Sequence, residues 1–274
     1  MTALLNEVEG KQRADRDALA RQLEVLGVEP GDVVVVHTSF RAVGPVSGGP
    51  RALIDALLDA VGQAGTLVMP SMSDWADDRI FDPVRTPCRH LGIVADTFWR
   101  MPGVLRSDSP HAFAASGSRA AEITAPHPAD LPHGPDSPVG RLHDLDGRVL
   151  LLGVDHDADT TVHLAEFCAK VPYRIPKFCT VLRDGVPTRV DYGEIDHCCR
   201  NFRQVGEWLD SRRLQQRGRV GQADALLARA RDVVETVIDA LDDDPCRFLC
   251  AADKACNECD IARSSVAPGS ECTG

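Results

Sequence analysis

Four groups of residues in this 274-residue chain have types and spacings that could do chemistry. The first is His163, in Thr160-Thr161-Val162-His163-Leu164-Ala165-Glu166, just beyond the apolar run Arg148 to Val154. A neutral imidazole in the first turns of a helix after a buried strand can act as a general base, and Glu166 shares its helical face. The alternative is a half-buried histidine bonded to backbone, and His-x-x-Glu falls short of the zincin pattern His-Glu-x-x-His. The second group is His37-Thr38-Ser39, which ends the run Asp32 to His37. Hydroxyls at a strand end can bind an acyl oxygen or a phosphate, or cap the next turn. The Ser47-Gly48-Gly49 turn offers backbone amides to an anion, without Walker A or Gly-x-Gly-x-x-Gly spacing. Neither Ser39 nor Ser107 sits in a Gly-x-Ser-x-Gly elbow, which argues against a serine hydrolase.

The third group is acidic: Asp74, Asp77, Asp78 and Asp82, then Asp155, Asp157 and Asp159, then Glu194 and Asp196. Such loops either grip a polycation or are simply solvated. The fourth is the cysteines. Only Cys88, Cys168 and Cys179 precede residue 190, whereas Cys198, Cys199, Cys246, Cys250, Cys256, Cys259 and Cys272 follow Asp196. Clustering in the last quarter of the chain points to metal before disulfides. Cys256-x-x-Cys259 with Cys250 and the His197-Cys198-Cys199 triplet supplies enough soft ligands for a closed tetrahedral zinc site, free thiols being the alternative. Cys198 is preferred as fourth ligand over Cys199 and His197.

These groups need a frame. Asp15 to Leu26 has helical periodicity and stops at Gly27, Asp32 to His37 is a β-branched run, and a second amphipathic helix spans Ala52 to Val61 before a strand over Thr66 to Met69. Strand, helix, strand at this spacing is a βαβ unit. Ser71 to His90, 105 to 115 and Pro126 to Pro138 show no period and read as loops. Helices are expected over Gly92 to Met101, Ser118 to Thr124 and Thr160 to Lys170, and Asp184-Gly185 marks a hairpin between Phe178–Arg183 and Val186–Tyr192. Two further helices are expected over about 199 to 214 and 221 to 241. The expectation is one α/β domain over 1–274, with a central, mostly buried mixed sheet flanked by helices. Its part from about 195 to 274 should be helical and cysteine-rich.

Acidic residues outnumber basic ones by 41 to 30, for a net charge of −11, and no basic stripe exists to suit nucleic acid. Nothing approaches a membrane-spanning run, and Met1 to Arg16 is too charged for a signal peptide, so a soluble cytoplasmic protein is expected.

In order, Val36-His37-Thr38-Ser39-Phe40, Gly48-Gly49-Pro50, Gly65 to Ser71, Phe81-Asp82-Pro83, Arg106-Ser107, Phe113-Ala114-Ala115 and Thr161-x-His163-Leu164-Ala165-Glu166 resemble the aminoglycoside 3-N-acetyltransferases. The match covers roughly residues 20 to 260. The segments at 191 to 199 and 256 to 260 look most like the type IV branch, which modifies apramycin and gentamicin. Family members usually read Arg-Ser-x-His-Pro, whereas this chain has Arg106-Ser107-Asp108-Ser109-Pro110-His111. The resemblance implies the antibiotic N-acetyltransferase fold rather than the commoner acetyltransferase fold. It also implies acetyl-CoA as donor and an aminoglycoside as acceptor, modified at the 3-amine of 2-deoxystreptamine. By the same resemblance, His163, Glu166 and Glu194 are the catalytic candidates, and His37, Thr38, Ser39, Gly48, Gly49, Arg106 and Ser107 would border the donor. Asp74, Asp77 and Glu194 would grip the drug, and Cys198, Cys250, Cys256 and Cys259 would hold zinc in a monomer or homodimer. Rival readings are an N-acetyltransferase for another amine metabolite and a non-catalytic protein that sequesters the antibiotic.

Overall fold

The computed structural model describes residues 13–73 and 79–267. The first half runs α1 (Arg16–Leu26), β1 (Val33–Thr38), α2 (Phe40–Val43), α3 (Gly49–Val61), β2 (Thr66–Pro70), β3 (Ile80–Phe81), α4 (Gly92–Trp99), β4 (Leu105–Arg106), β5 (Phe113–Gly117), α5 (Ala120–Ile123) and α6 (Pro138–Asp144). It continues with β6 (Arg148–Leu152), α7 (Thr161–Cys168), β7 (Ile175–Arg183), β8 (Val186–Glu194), α8 (Gln204–Arg212), β9 (Gln215–Val220), β10 (Ala223–Arg229), α9 (Ala230–Asp243) and α10 (Asn257–Ser264). Seven strands form a sheet in the order β4-β5-β2-β1-β6-β10-β9, and β3, β7 and β8 form a second, smaller sheet.

The sheet is mixed: β1 pairs parallel to β2 and β6, whereas β5 and β10 add antiparallel on either side. Strand β1 reads as unbroken valine because both its faces are covered. Val33 and Val35 join one apolar core, with α7 and α9; Val34 and Val36 join the other, with α1 and α3. Helix α1 starts at Asp15, whose carboxylate accepts from Ala18 N, and ends at Gly27 in the left-handed region. Ser137 caps α6 in the same way and is followed by Pro138.

The structure corrects the second helix expected over about 221 to 241. Helix α9 begins only at Ala230, and Ala223–Arg229 is strand β10. Alanine and leucine favour helix locally, but Ala225 to Arg229 pair with Leu152 to Arg148 of β6 and close the sheet over its core. The preceding β9 is the sheet's edge, and Arg217 and Arg219 on it discourage further pairing. The region after residue 195 is therefore not wholly helical. Within 105 to 115, expected to be irregular, Leu105–Arg106 is β4 and Phe113 to Ala115 open β5, which pairs with β2.

Strand β1 continues through α3 to β2 on one side, while β6 lies on its other side. The carboxyl ends of β1 and β6 thus flank a topological switch point, where open α/β sheets take their ligands. Gly153, with φ +65, leaves β6 there, and a Cβ on it would lie 2.3 Å from the Ala42 Cβ. Gly153→Ala should lower unfolding free energy by roughly 2–5 kcal/mol, the left-handed penalty plus the clash. A lower urea midpoint at unchanged slope would register that loss, and an unchanged midpoint would remove the constraint.

Candidate active site

Helix α7 springs from the switch point, where the Asp159 carboxylate accepts from Thr161 N at 2.9 Å. A three-residue spacing brings His163 Nδ1 to 2.7 Å from Glu166 Oε2. Glu166 is fully buried, and its Oε1 accepts from Tyr173 OH at 2.6 Å and from His197 Nε2 at 2.8 Å. Burial alone would raise this carboxyl's pKa, but His197 and His163 hold it well below the ordinary range. The anion requires a proton on His163 Nδ1, which leaves Nε2 as the exchangeable nitrogen. Burial opposes a charged imidazole, yet Cys199 and Glu166 outweigh it and push the His163 pKa well above its ordinary value.

Three groups surround that ring. Cys199 Sγ lies 3.6 Å from Nε2, Phe202 meets the ring edge-on, and His133 stacks on it at 5.0 Å with 22° between planes. Burial drives the His133 pKa well down, so this second imidazole stays neutral. A small cleft of about 40 Å³ opens beside them, lined by His133, His163, Phe167, Arg174, Asp130 and Glu194 among others.

Glu194 ends β8 on the cleft's far wall. Its Oε1 lies 2.7 Å from His111 Nε2 and its Oε2 2.7 Å from Lys177 Nζ, and Lys177 also pairs with Asp196. Burial pushes this carboxyl up, but His111 and Lys177 bring it down to about 2. Asp74 and Asp77 lie outside the described residues.

The residues expected around the donor divide into two groups. His37 Nε2 lies 3.4 Å from Thr160 Oγ1 at the head of α7, and the buried hydroxyls of Thr38 and Thr161 have no hydrogen-bond partner. Gly48 and Gly49 open α3, whose first turn has no side-chain cap. Ser39, Arg106 and Ser107 are engaged internally. Ser39 caps α2, and Ser107 Oγ accepts from Phe113 N and meets His127 Nδ1 at 3.2 Å. Arg106 donates to Ser71 and to the Pro83 and Thr86 carbonyls and stacks on Trp99 and Phe81.

Among the described residues two sets of side chains gather metal-type donors. The sulfurs of Cys198, Cys250, Cys256 and Cys259 all lie within 4.8 Å of one another, with Cys198 at 3.5 Å from Cys250 and 3.6 Å from Cys259. Cys246 is instead disulfide-bonded. The other set, His163, Glu166 and His197, has donor separations of 2.7 and 2.8 Å. Ligands on a tetrahedral ion at about 2.0–2.1 Å sit roughly 3.3 Å apart, so these contacts are hydrogen bonds.

His111, His133, Tyr173 and Lys177 carry no local sequence signal. They meet because the β4–β5 connection, the segment before α6, the turn after α7 and the β7–β8 hairpin come together beside α7.

A buried acid and base on a strand-end helix, facing a second buried carboxylate across a cleft, suit proton removal from a cationic ligand. A family model for aminoglycoside 3-N-acetyltransferases matches residues 35–242. The chain belongs to that family. The aminoglycoside N(3)-acetyltransferase IV of a Salmonella species is 54% identical over 232 residues, covering 84% of this chain and 88% of that protein. The crystal structure of the AAC(3)-IVa apoenzyme matches with a TM-score of 0.90 at 52% identity, over 94% of this chain and all of that one. Histidine-to-alanine variants of AAC(3)-IVa, in complex with gentamicin and with apramycin, match at 0.89 and 0.84. They are 50% identical and cover 94% and 91% of this chain and 100% of theirs. AAC-IIIb, in binary complex with CoASH, matches at 0.79 and 27% identity, over 85% of this chain and 97% of that one. The antibiotic N-acetyltransferase fold and the transferase class expected from the motifs are therefore this chain's own. Among the described residues no helix is long and apolar enough to cross a membrane.

Because the Glu194 carboxyl is depressed from 4.5 to about 2, it stabilises the fold above about pH 4.5 and loses that contribution as pH falls toward 2. The stability gap between wild type and Glu194→Gln should therefore shrink by about 3 kcal/mol between pH 5 and 2 in urea titrations. A gap constant over that range would sever Glu194 from its two cations.

Proposed function

We propose that this enzyme transfers the acetyl group of acetyl-CoA to the 3-amine of the 2-deoxystreptamine ring of aminoglycosides, and so confers resistance to them. The observation that carries this reading is the His163–Glu166 pair, an imidazole whose Nδ1 is held by a buried carboxylate beside a cleft. At neutral pH the drug's amine is largely protonated and cannot attack a thioester. His163 Nε2 takes that proton, directly or through one water, as the nitrogen lone pair attacks the acetyl carbonyl. The carbon–sulfur bond then breaks and the CoA thiolate leaves with a proton. Because the acceptor amine is itself the nucleophile, no acyl-enzyme is needed.

The donor would fit the carboxyl ends of the central strands. The unpartnered Thr38 and Thr161 hydroxyls and the backbone of His37 to Ser39 offer polar groups to the thioester and pantetheine arm. The uncapped start of α3 at Gly48 and Gly49 offers amides and dipole to the anionic part of CoA. The CoASH bound by AAC-IIIb supports a CoA thioester as donor. On the opposite wall Glu194 would share its charge with a drug ammonium, and Asp74 and Asp77, which lie outside the described residues, are further candidates by resemblance. The gentamicin and apramycin complexes of AAC(3)-IVa support such acceptors.

Zinc would serve structure, tying α10 and the segment before it to the end of the β7–β8 hairpin. Four sulfurs around a tetrahedral zinc at about 2.3 Å lie roughly 3.8 Å apart. The spacings of 3.5 and 3.6 Å fit that edge. Metal analysis should find one zinc per chain, lost in Cys250→Ser. Acetyl-CoA is a cytoplasmic metabolite, which would place the work there, in a monomer or homodimer.

Thiol release from acetyl-CoA should occur with apramycin and gentamicin and not with a compound lacking a free 3-amine. His163→Ala should lower kcat/KM by roughly 100- to 10,000-fold while the fold persists. Its pKa is raised, so the base is protonated below that value: kcat/KM should climb with pH through a midpoint above 6.5. Glu166→Gln should move the midpoint down. A pH-independent rate, or normal turnover by His163→Ala, would remove His163 from the chemistry.

A further inference from the structure

The segment His197-Cys198-Cys199 serves two places at once. Cys198 contributes its sulfur to the cluster of four thiols, while its two neighbours face the reactive histidine. His197 is fully buried, its Nδ1 accepts from Cys199 N at 3.1 Å, and its Nε2 therefore carries the proton given to Glu166 Oε1 at 2.8 Å. Glu166 in turn holds His163 Nδ1 through its other oxygen. A continuous path of bonds thus runs from the thiol cluster through one peptide unit to the side chain that fixes the base. We infer that His197 is a positioning residue for acetyl transfer, and that a metal held by the four thiols clamps it against Glu166.

The inference rests on the reading of His163 as the base. Glu166 has two oxygens and three donors, and only Tyr173 and His197 hold the carboxylate from outside α7. Tyr173 follows α7 closely in sequence, so His197 is the donor that ties the pair to a distant part of the chain. Without it the carboxylate can turn about its last torsion, and the imidazole turns with it. The surrounding rings do not replace that bond. Phe202 at 5.1 Å and Phe248 at 6.4 Å enclose the His197 ring and carry no donor, and Tyr173, 5.8 Å away, already gives its one O–H to Glu166 Oε1. Metal loss would release the 197–199 turn, whose Cys199 already has a φ of 54°.

Two variants separate positioning from packing. His197→Phe keeps a ring among the aromatic neighbours and removes the donor, whereas His197→Gln restores an N–H near the old Nε2. His197→Phe should lower kcat by roughly 10- to 100-fold with the KM for acetyl-CoA changed less than about twofold, and His197→Gln should recover much of the loss. Chelation, followed by metal analysis, should lower kcat of wild type by a similar factor but add little to the deficit of His197→Phe, since both act through one bond. The ring-nitrogen NMR signals of His163 supply a readout that needs no substrate. They should show one fixed tautomer in metal-loaded wild type and a mixture in His197→Phe and in the metal-free protein. A normal kcat and a fixed tautomer in His197→Phe would overturn the inference. So would losses from chelation and substitution that simply multiply. If wild type transfers no acetyl group, the reading of the reaction fails, while the His163 signals still decide whether His197 positions the ring.

Discussion

One buried carboxylate, Glu166, sets the terms for the rest of this molecule. An ionised carboxyl removed from water is costly unless every lone pair finds a donor. Here three donors come from three places: His163 on the same helix, Tyr173 from the turn beyond it and His197 from the end of the β7–β8 hairpin. The hairpin must therefore close onto α7, and the small sheet is held against the large one by a charge that neither could bury alone. Where only packing is needed, an apolar residue would serve as well at that position. A carboxylate is required only if the imidazole beside it must keep one tautomer and a high basicity.

That basicity has a consequence for function. Glu166 and Cys199 favour the imidazolium, so the resting base tends to carry a proton it must lose before it can accept another. The arriving ligand works in the opposite direction. On the proposed reaction a polycationic drug would bring positive charge against Glu194 and close to His163, and like charge lowers an imidazole's pKa. The acid-rich surroundings, part of a net charge of −11, would attract the cation, and the cation would ready the proposed base. His133 belongs to the same balance: stacked on His163 and kept neutral by burial, it adds no competing charge.

How much of this was legible in the sequence depends on how local each feature is. The βαβ start, the His163–Glu166 spacing and the Asp184-Gly185 turn are written in neighbouring residues. The turn's two positive φ angles, 51° and 77°, are what that dipeptide favours. Strand β10 was hidden because its alanines and leucines favour helix and only the open edge of β6 makes a strand of them. His111 and His133 carry no spacing signal, since they reach the cleft from a loop and an α6 approach that sequence leaves unlinked. Next to Cys198 and Cys199, His197 looks like one more metal donor, and its bond to Glu166, 31 residues away, has no sequence trace. By resemblance Arg106 would border the donor, yet its guanidinium is turned inward to carbonyls and rings, a fate that composition does not record.

The same geometry divides the molecule's labour. Groups suited to a thioester stand at the end of the large sheet, on β1, α3 and the head of α7, where the backbone is fixed by parallel pairing and two apolar cores. Groups suited to a cationic acceptor stand on the small sheet, where Lys177, Glu194 and Asp196 lie at strand ends with few partners beyond one another. His163 sits between, anchored to the first wall by its helix and to the second through Glu166 and His197. On the proposed reading, residues of the small sheet could then change and alter which amines are gripped, while the base and the donor wall would stay as they are. Separation of this kind requires that the base be held from both sides, and the three-donor carboxylate meets that requirement.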